Sequence, residues 1–202
     1  MTVATDQRMT LQEFLTYGDG TDTRYELIKG KLIPMSPPTW LHLRIARYLE
    51  GAFNREIERQ SFDWEAFQEP GQQTESSSAR RPDVAIVPSD WVDAELDRSA
   101  VLGKAAFLVV EVVSESTATT DYREKVSEYQ AIGIPEYWIV DPDPFGAAKY
   151  IGSPKCPTVS VYHLVDGIYQ VRQYRDNETI VSPTFPDLKL TAAQVLAGKR
   201  LV

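Results

Sequence analysis

The sequence predicts an α/β (α+β mixed) protein, and three observations carry that expectation. The run from Ala106 to Val113 is apolar on both faces, with Phe107, Val109 and Val113 on one, Leu108, Val110 and Val112 on the other, and Glu111 as its single carboxylate. Such a run marks a strand covered on both sides. A helical stretch carrying Asp121, Lys125 and Tyr129 then leads to a second buried run, Tyr137-Trp138-Ile139-Val140; strand, helix, strand in that order gives a right-handed parallel crossover. Finally, Asp166-Gly167 lies between two apolar runs, Val159–Val165 and Ile168–Val171, which is a strong hairpin signal.

Taken in order, residues 1–8 read as a loose tail. Thr10 followed by Glu13 fits a capping box and opens a short helix. Tyr25–Ile28 and Lys31–Met35 flank Lys29-Gly30 as a hairpin. Glu26 shares a face with the apolar Ile28, and as a bare sequence it is equally an exposed acid on an edge strand. Pro37-Pro38-Thr39 stops the strand and starts a long helix from Trp40 to Gln60, with Ile45, Leu49, Phe53 and Ile57 as the core-facing stripe. Its Arg44, Arg55 and Arg59, mixed with Glu50, Glu56 and Glu58, read first as a solvated face and second as a phosphate-contacting flank. His42 lies one turn into the helix.

Ser61–Gln73 alternates around Phe62, Trp64 and Phe67 and reads as one strand; the polar Thr74–Arg80 that follows reads as a flexible turn. Arg81–Val87 is the strand that brings in Asp83. Asp90–Lys104 is a polar connection with a helical turn near Trp91, and the Glu111 strand follows. After the hydroxyl-rich bend Ser114–Thr120, Tyr122, Val126 and Tyr129 form the inward stripe of a helix, with Lys125 beside it. Gly133 and Pro135 end that helix. Pro142–Pro157, with four prolines and two glycines, is expected to be a mobile connection. Asp176-Asn177 marks a turn, and Thr191 with Gln194 caps a last short helix. No repeat or break divides the chain, so residues 1–202 are expected to form a single domain.

Composition narrows the function classes. Hydrophobic content of 43% and charged content of 25% are ordinary for a globular protein. No apolar run approaches the ~18 residues of a membrane span, and Met1–Thr10 lacks a signal-peptide pattern. The lone Cys156 makes no internal disulfide, which points to the cytoplasm. A net charge of −8 argues against nonspecific coating of nucleic acid, while leaving room for a local basic cleft.

The chemistry centres on Asp83 and Glu111. An ionised carboxylate buried without a partner costs several kcal/mol even after relaxation. A turn cap for Asp83 and a structural arginine partner for Glu111 would each account for one acid. Two acids on adjacent strand-like runs, with a lysine on the next helix, suit a hard divalent cation such as Mg²⁺.

An ordered set of motifs runs through the chain: Tyr25-Glu26-Leu27-Ile28-x-Gly30, Ser36-Pro37 with His42, Arg81-Pro82-Asp83, Val110-Glu111-Val112-x-Ser114, Asp121-x-x-x-Lys125-x-x-x-Tyr129, and Gly133 to Asp141. This set resembles the PD-(D/E)XK nuclease superfamily, and within it the bacterial "Uma-two" branch. The resemblance implies a restriction-endonuclease-like core, a central mixed sheet flanked by helices with a C-terminal β-hairpin extension. It implies hydrolysis of phosphodiester bonds in nucleic acid, DNA foremost, with Mg²⁺ (or Mn²⁺). Asp83, Glu111 and the Val112 carbonyl would be metal ligands, with Glu26 holding a second metal or a water. The superfamily's lysine two residues after the glutamate is here Val113; in this branch the role falls to the next helix, which assigns it to Lys125. Glu115 stands where the branch has proline after Ser114. No membrane partner is expected, and a homodimer is compatible with the reading. Two other classes stay open on the sequence: an inactive nuclease-fold interaction or regulatory domain, and a metal phosphohydrolase of small substrates.

Overall fold

The structure is a computed structural model and describes residues 8–199; residues 1–7 of the expected loose tail lie outside the described residues. Helix α1 (Leu11–Leu15) starts at Thr10 with the predicted capping box. Strands β1 (Tyr25–Ile28) and β2 (Lys31–Pro34) pair in antiparallel register, Ile28 opposite Lys31, around Lys29 and Gly30. Both turn residues have positive φ, 49° and 80°, as a tight hairpin with matching twist requires. Helix α2 (Trp40–Gln60) is capped by Thr39, whose side chain accepts from the His42 N–H, and its predicted stripe Ile45, Leu49, Phe53 and Ile57 is buried throughout.

Next come β3 (Trp64–Gln68), β4 (Gly71–Glu75), β5 (Ser78–Arg80), β6 (Val84–Pro88), α3 (Ser89–Asp93), β7 (Val101–Leu102) and β8 (Leu108–Val112). A π-helical segment, Thr120–Lys125, runs directly into α4 (Val126–Ile132), which ends at Gly133 in the left-handed conformation with φ 82°. The chain closes with β9 (Glu136–Asp141), α5 (Ala148–Ile151), β10 (Thr158–Val165), β11 (Ile168–Tyr174) and α6 (Ala192–Ala197), the last with the Thr191–Gln194 capping box.

The strands form two sheets. The larger has the order β11-β10-β9-β8-β6-β3; β8 and β9 are parallel, as the crossover predicts, and the other pairs are antiparallel. The hairpin β10–β11 turns at Asp166-Gly167 and extends this sheet through β9. On one face α2 and α6 pack over Val84, Ile86, Val110, Val112, Trp138 and Val140; on the other Tyr129 packs with Ala85, Val109, Tyr137 and Ile139. Glu111 therefore points toward the side of α4.

The second sheet, β2-β1-β5-β4-β7, was not foreseen. Two readings change with it. Ser61–Gln73 is not one strand: Glu69 adopts φ 55° and Pro70 lacks an N–H, so the chain leaves the large sheet and re-enters the small one. Thr74–Arg80 is not a loose turn: only Ser76 and Ser77 turn, and Ser78, Ala79 and Arg80 form a fully buried strand between β1 and β4. The Pro142–Pro157 connection also has internal structure, since α5 buries Ile151 completely. No helix among the described residues is long and apolar enough to cross a membrane.

Candidate active site

Asp83 sits immediately before β6, where the sheet edge of β8 is about to run out. Its Oδ2 accepts the Val112 backbone N–H at 2.6 Å, and its Oδ1 is 2.6 Å from His42 Nε2, delivered by the first turn of α2. In a strand the N–H and C=O of one residue point to the same side, so the Val112 carbonyl faces Asp83 as well. The sequence motifs thus bring together Asp83, Val112 and His42.

Glu111, two strand positions from Val109, enters from β8. One oxygen accepts from the Tyr129 hydroxyl at 2.7 Å, and the other lies 2.7 Å from Lys125 Nζ. Lys125 is buried, and its ammonium is also 3.0 Å from Asp121 Oδ1 and 3.8 Å from Glu26 Oε1. The π-helical turn produces this convergence. It places Asp121 and Lys125, at i and i+4, both on the buried side together with Tyr122. Asp121 is buried, with its Oδ1 3.0 Å from the Lys125 ammonium, and Lys125 and Thr117 both favour its ionised form.

Glu26 comes from β1 of the smaller sheet. Its Oε2 accepts from Arg80 Nη1 at 3.1 Å and its Oε1 from the Arg81 backbone N–H at 3.0 Å. Arg80 is 3% exposed and is shared with Glu128 at 2.6 Å and Glu124 at 3.3 Å. All the predicted residues, Glu26, Asp83, Glu111, Val112 and Lys125, therefore gather at one place, where the small sheet and α4 meet the ends of β6 and β8. Sequence reasoning missed the parts of Arg80 and Asp121. Arg80 was hidden in a polar, serine-rich run. For Asp121, the i, i+4 spacing to Lys125 was the available signal.

The electrostatics of the cluster are asymmetric. Burial pushes Glu111 well above the usual carboxylate range; Lys125 pulls it down, but Asp121, Asp83 and Glu26 add to the rise. Burial likewise raises Asp121, against the pull of Lys125. For Lys125, burial disfavours the ammonium, yet Asp121, Glu111 and Glu26 outweigh it and hold its pKa well above the ordinary lysine value. The two partners of the 2.7 Å pair thus shift in ways that favour the lysine charge and disfavour the glutamate charge. The cause is plain: the ammonium faces three acids, whereas Glu111 faces one cation and the same crowd of acids. Glu26 differs: burial would raise it, but Lys125 and Arg80 together bring it below the normal range. Burial opposes protonation of His42, and the Asp83 hydrogen bond and charge overcome it, raising its pKa.

As these side chains stand, no group of three or more His, Cys, Asp or Glu among the described residues is arranged to hold a metal ion. Lys125 occupies Glu111, and His42 occupies Asp83.

The chain is similar to the uncharacterized protein sll1609 of Synechocystis sp., with 27% identity over 142 residues, 70% of this chain and 79% of that protein. Its fold is shared with the crystal structure of "a putative nuclease belonging to DUF820" from Anabaena variabilis, with a TM-score of 0.72 at 20% identity, over 94% of this chain and 98% of that one. The model of a family described as "Uma2: Putative restriction endonuclease" matches residues 11–193. With nearly the whole described chain matched, and the motif residues gathered at one site, this protein belongs to the Uma2 family of restriction-endonuclease-like proteins.

Proposed function

We propose that the protein is a Mg²⁺- or Mn²⁺-dependent endonuclease that hydrolyses phosphodiester bonds of DNA. One observation carries the reading. A buried lysine ammonium lies 2.7 Å from a buried strand glutamate, Glu111, whose neighbouring strand end presents Asp83. A fold can be stabilised far more simply than by burying opposed charges, since apolar replacements of buried ion pairs are often neutral or stabilising.

The charge balance fits a cation. Four buried carboxylates, Glu26, Asp83, Glu111 and Asp121, face Lys125, His42 and Arg80, and Arg80 is shared with Glu124 and Glu128. Burial and the neighbouring acids raise Glu111 and Asp121 against the pull of Lys125, so a cation among them would favour their ionised forms. Oxygen donors of this kind suit Mg²⁺ or Mn²⁺. Asp83, Glu111 and the Val112 carbonyl would hold the ion, with Glu26 as an auxiliary ligand. When bound, the ion would supply an acidified water and neutralise phosphate charge. Lys125 would hold the attacking water or the charge that develops on the phosphate. His42 would orient Asp83 through its Nε2.

The excess of acid and the lack of a ready-made ligand group favour, as a second reading, a non-catalytic member of the family. One assay separates the two. The purified protein is incubated with plasmid, single-stranded and branched DNA and Mn²⁺, beside an Asp83→Asn control. Cleavage by the wild type and loss of it in the variant is the expected result; equal cleavage by both, or by neither, overturns the proposal.

A further inference from the structure

A cavity of about 320 Å³ lies beside the cluster, between α1 and the small sheet. Phe14, Tyr17, Tyr25, Arg24 and Arg81 are among the residues that line it. Tyr17 and Tyr25 meet edge to face, with ring centroids 5.8 Å apart. The Tyr25 hydroxyl is held by Asp19 at 2.6 Å, so that ring is fixed. Tyr17 is 41% exposed and offers its ring to solvent.

Arg81 connects this cavity with the acidic cluster. Its backbone N–H donates to Glu26 Oε1, while its side chain lines the cavity. Its side chain is 37% exposed, and its Nε stands 3.7 Å from the carboxylate of Glu69, which also pairs with Arg24. The fold does not require the cavity to be lined this way, since α1 could cover the sheet with aliphatic side chains.

Aromatic faces with an arginine donor are the means by which proteins hold unpaired nucleobases: the rings stack with any base, and the guanidinium bonds to an acceptor on the base edge. We propose that this cavity takes one unpaired nucleobase of a DNA strand whose backbone runs toward the Glu26–Asp83–Glu111 cluster. The base stacks on Tyr17, and an acceptor on its edge receives a hydrogen bond from the exposed part of the Arg81 guanidinium. The proposal rests on the nuclease reading above for the identity of the strand. It adds that the substrate is locally single-stranded, or made so by extruding a base.

The test is a binding measurement without divalent metal, so that no cleavage enters. Calorimetry compares the wild type, Tyr17→Ala and Arg81→Met against a short single-stranded DNA, and against the same strand with abasic sites in place of its bases. The Arg81 variant keeps the backbone N–H that holds Glu26. Base-bearing DNA is expected to bind the wild type at least tenfold more tightly than abasic DNA. Each variant should lose most of that preference, with an unchanged melting temperature showing that it is folded. A wild type that binds both strands equally, or variants that keep the full preference, overturns the cavity assignment. Metal-dependent cleavage by the wild type alongside that outcome leaves the nuclease reading standing. Conversely, a base preference that depends on Tyr17 and Arg81 in a protein that cleaves nothing keeps the cavity and removes the nuclease.

Discussion

At the scale of single residues, the central fact is that Lys125 and Glu111 are unequal partners. Among the described residues Lys125 is the only ammonium paired with these three buried acids, so its removal leaves Glu111 and Asp121 without an ion-pair partner and Glu26 with Arg80 alone. Lys125→Met is therefore expected to cost up to about 3–5 kcal/mol in metal-free protein, the range for breaking a buried pair. Helix spacing alone places Lys125 beside the core stripe, whereas the ion pairs bury it. Under the proposed mechanism the variant also loses roughly 10²-fold or more in cleavage rate, measured where it is still folded. Glu111→Gln should behave in the opposite way. Gln keeps an acceptor for Tyr129, and the charge removed is one that the site disfavours. Its denaturation midpoint at pH 7.5 should equal or exceed that of the wild type. A drop of several kcal/mol there would mean that the pair with Lys125 is net stabilising, and the picture of an acid-crowded site would be wrong.

At the scale of elements, two short pieces carry the site and both were hard to read. The π-helical turn Thr120–Lys125 adds a residue to the helix circumference, which lets Asp121, Tyr122 and Lys125 all be buried; π-turns of this kind gather at functional sites. An ideal 3.6-residue period puts Tyr122, Val126 and Tyr129 inward and Lys125 beside them, so periodicity located the helix but not the depth of its lysine. Strand β5 is the other piece. Ser78-Ala79-Arg80 has neither the length nor the apolar residues of a strand, and it is buried only because β1 and β4 flank it and four acid contacts hold Arg80. The long α2, the two hairpin turns with their glycines and the doubly covered β8 were legible, because local chemistry alone specifies them. The small sheet was not, because its strands are polar and find their burial only in tertiary contact. The importance of β5 is testable: Arg80→Met leaves Glu128 without its cation and Glu26 with Lys125 alone, and should lower stability by about 3–5 kcal/mol, read from the denaturant midpoint. As a comparison away from the site, Gly133→Ala should cost only about 1–2 kcal/mol, since a Cβ there meets nothing within 4 Å and the left-handed φ is the sole penalty. If Arg80→Met were no worse than Gly133→Ala, the buried arginine would be incidental to the fold.

At the scale of the whole molecule, the acidic cluster ties stability to pH and to metal. Glu111 and Asp121 have raised pKa values in the folded protein, so the folded state keeps protons that the unfolded chain has already released above the ordinary carboxylate range. Their effect is to lower metal-free stability as pH rises from about 4.5 through the raised values. His42 acts in the same direction: the stability it gives is complete below its ordinary value of 6.5 and is lost as pH climbs through its raised value. Glu26, with a depressed pKa, contributes above 4.5 and is lost only as pH falls below that. The melting temperature without metal should therefore decline between pH 5.5 and pH 8. A divalent cation bound by the same carboxylates competes with their protons, and binding to the folded state alone raises stability by mass action. Mg²⁺ at a fixed millimolar concentration should then raise the melting temperature little at pH 5.5 and progressively more toward pH 8. The Asp83→Asn, Glu111→Gln double variant should lose both the metal increment and a large part of the pH slope. Scanning fluorimetry across that range, with and without Mg²⁺, gives all four curves in one experiment. An increment that does not grow with pH, or that survives in the double variant, would place the ion somewhere other than between Asp83 and Glu111.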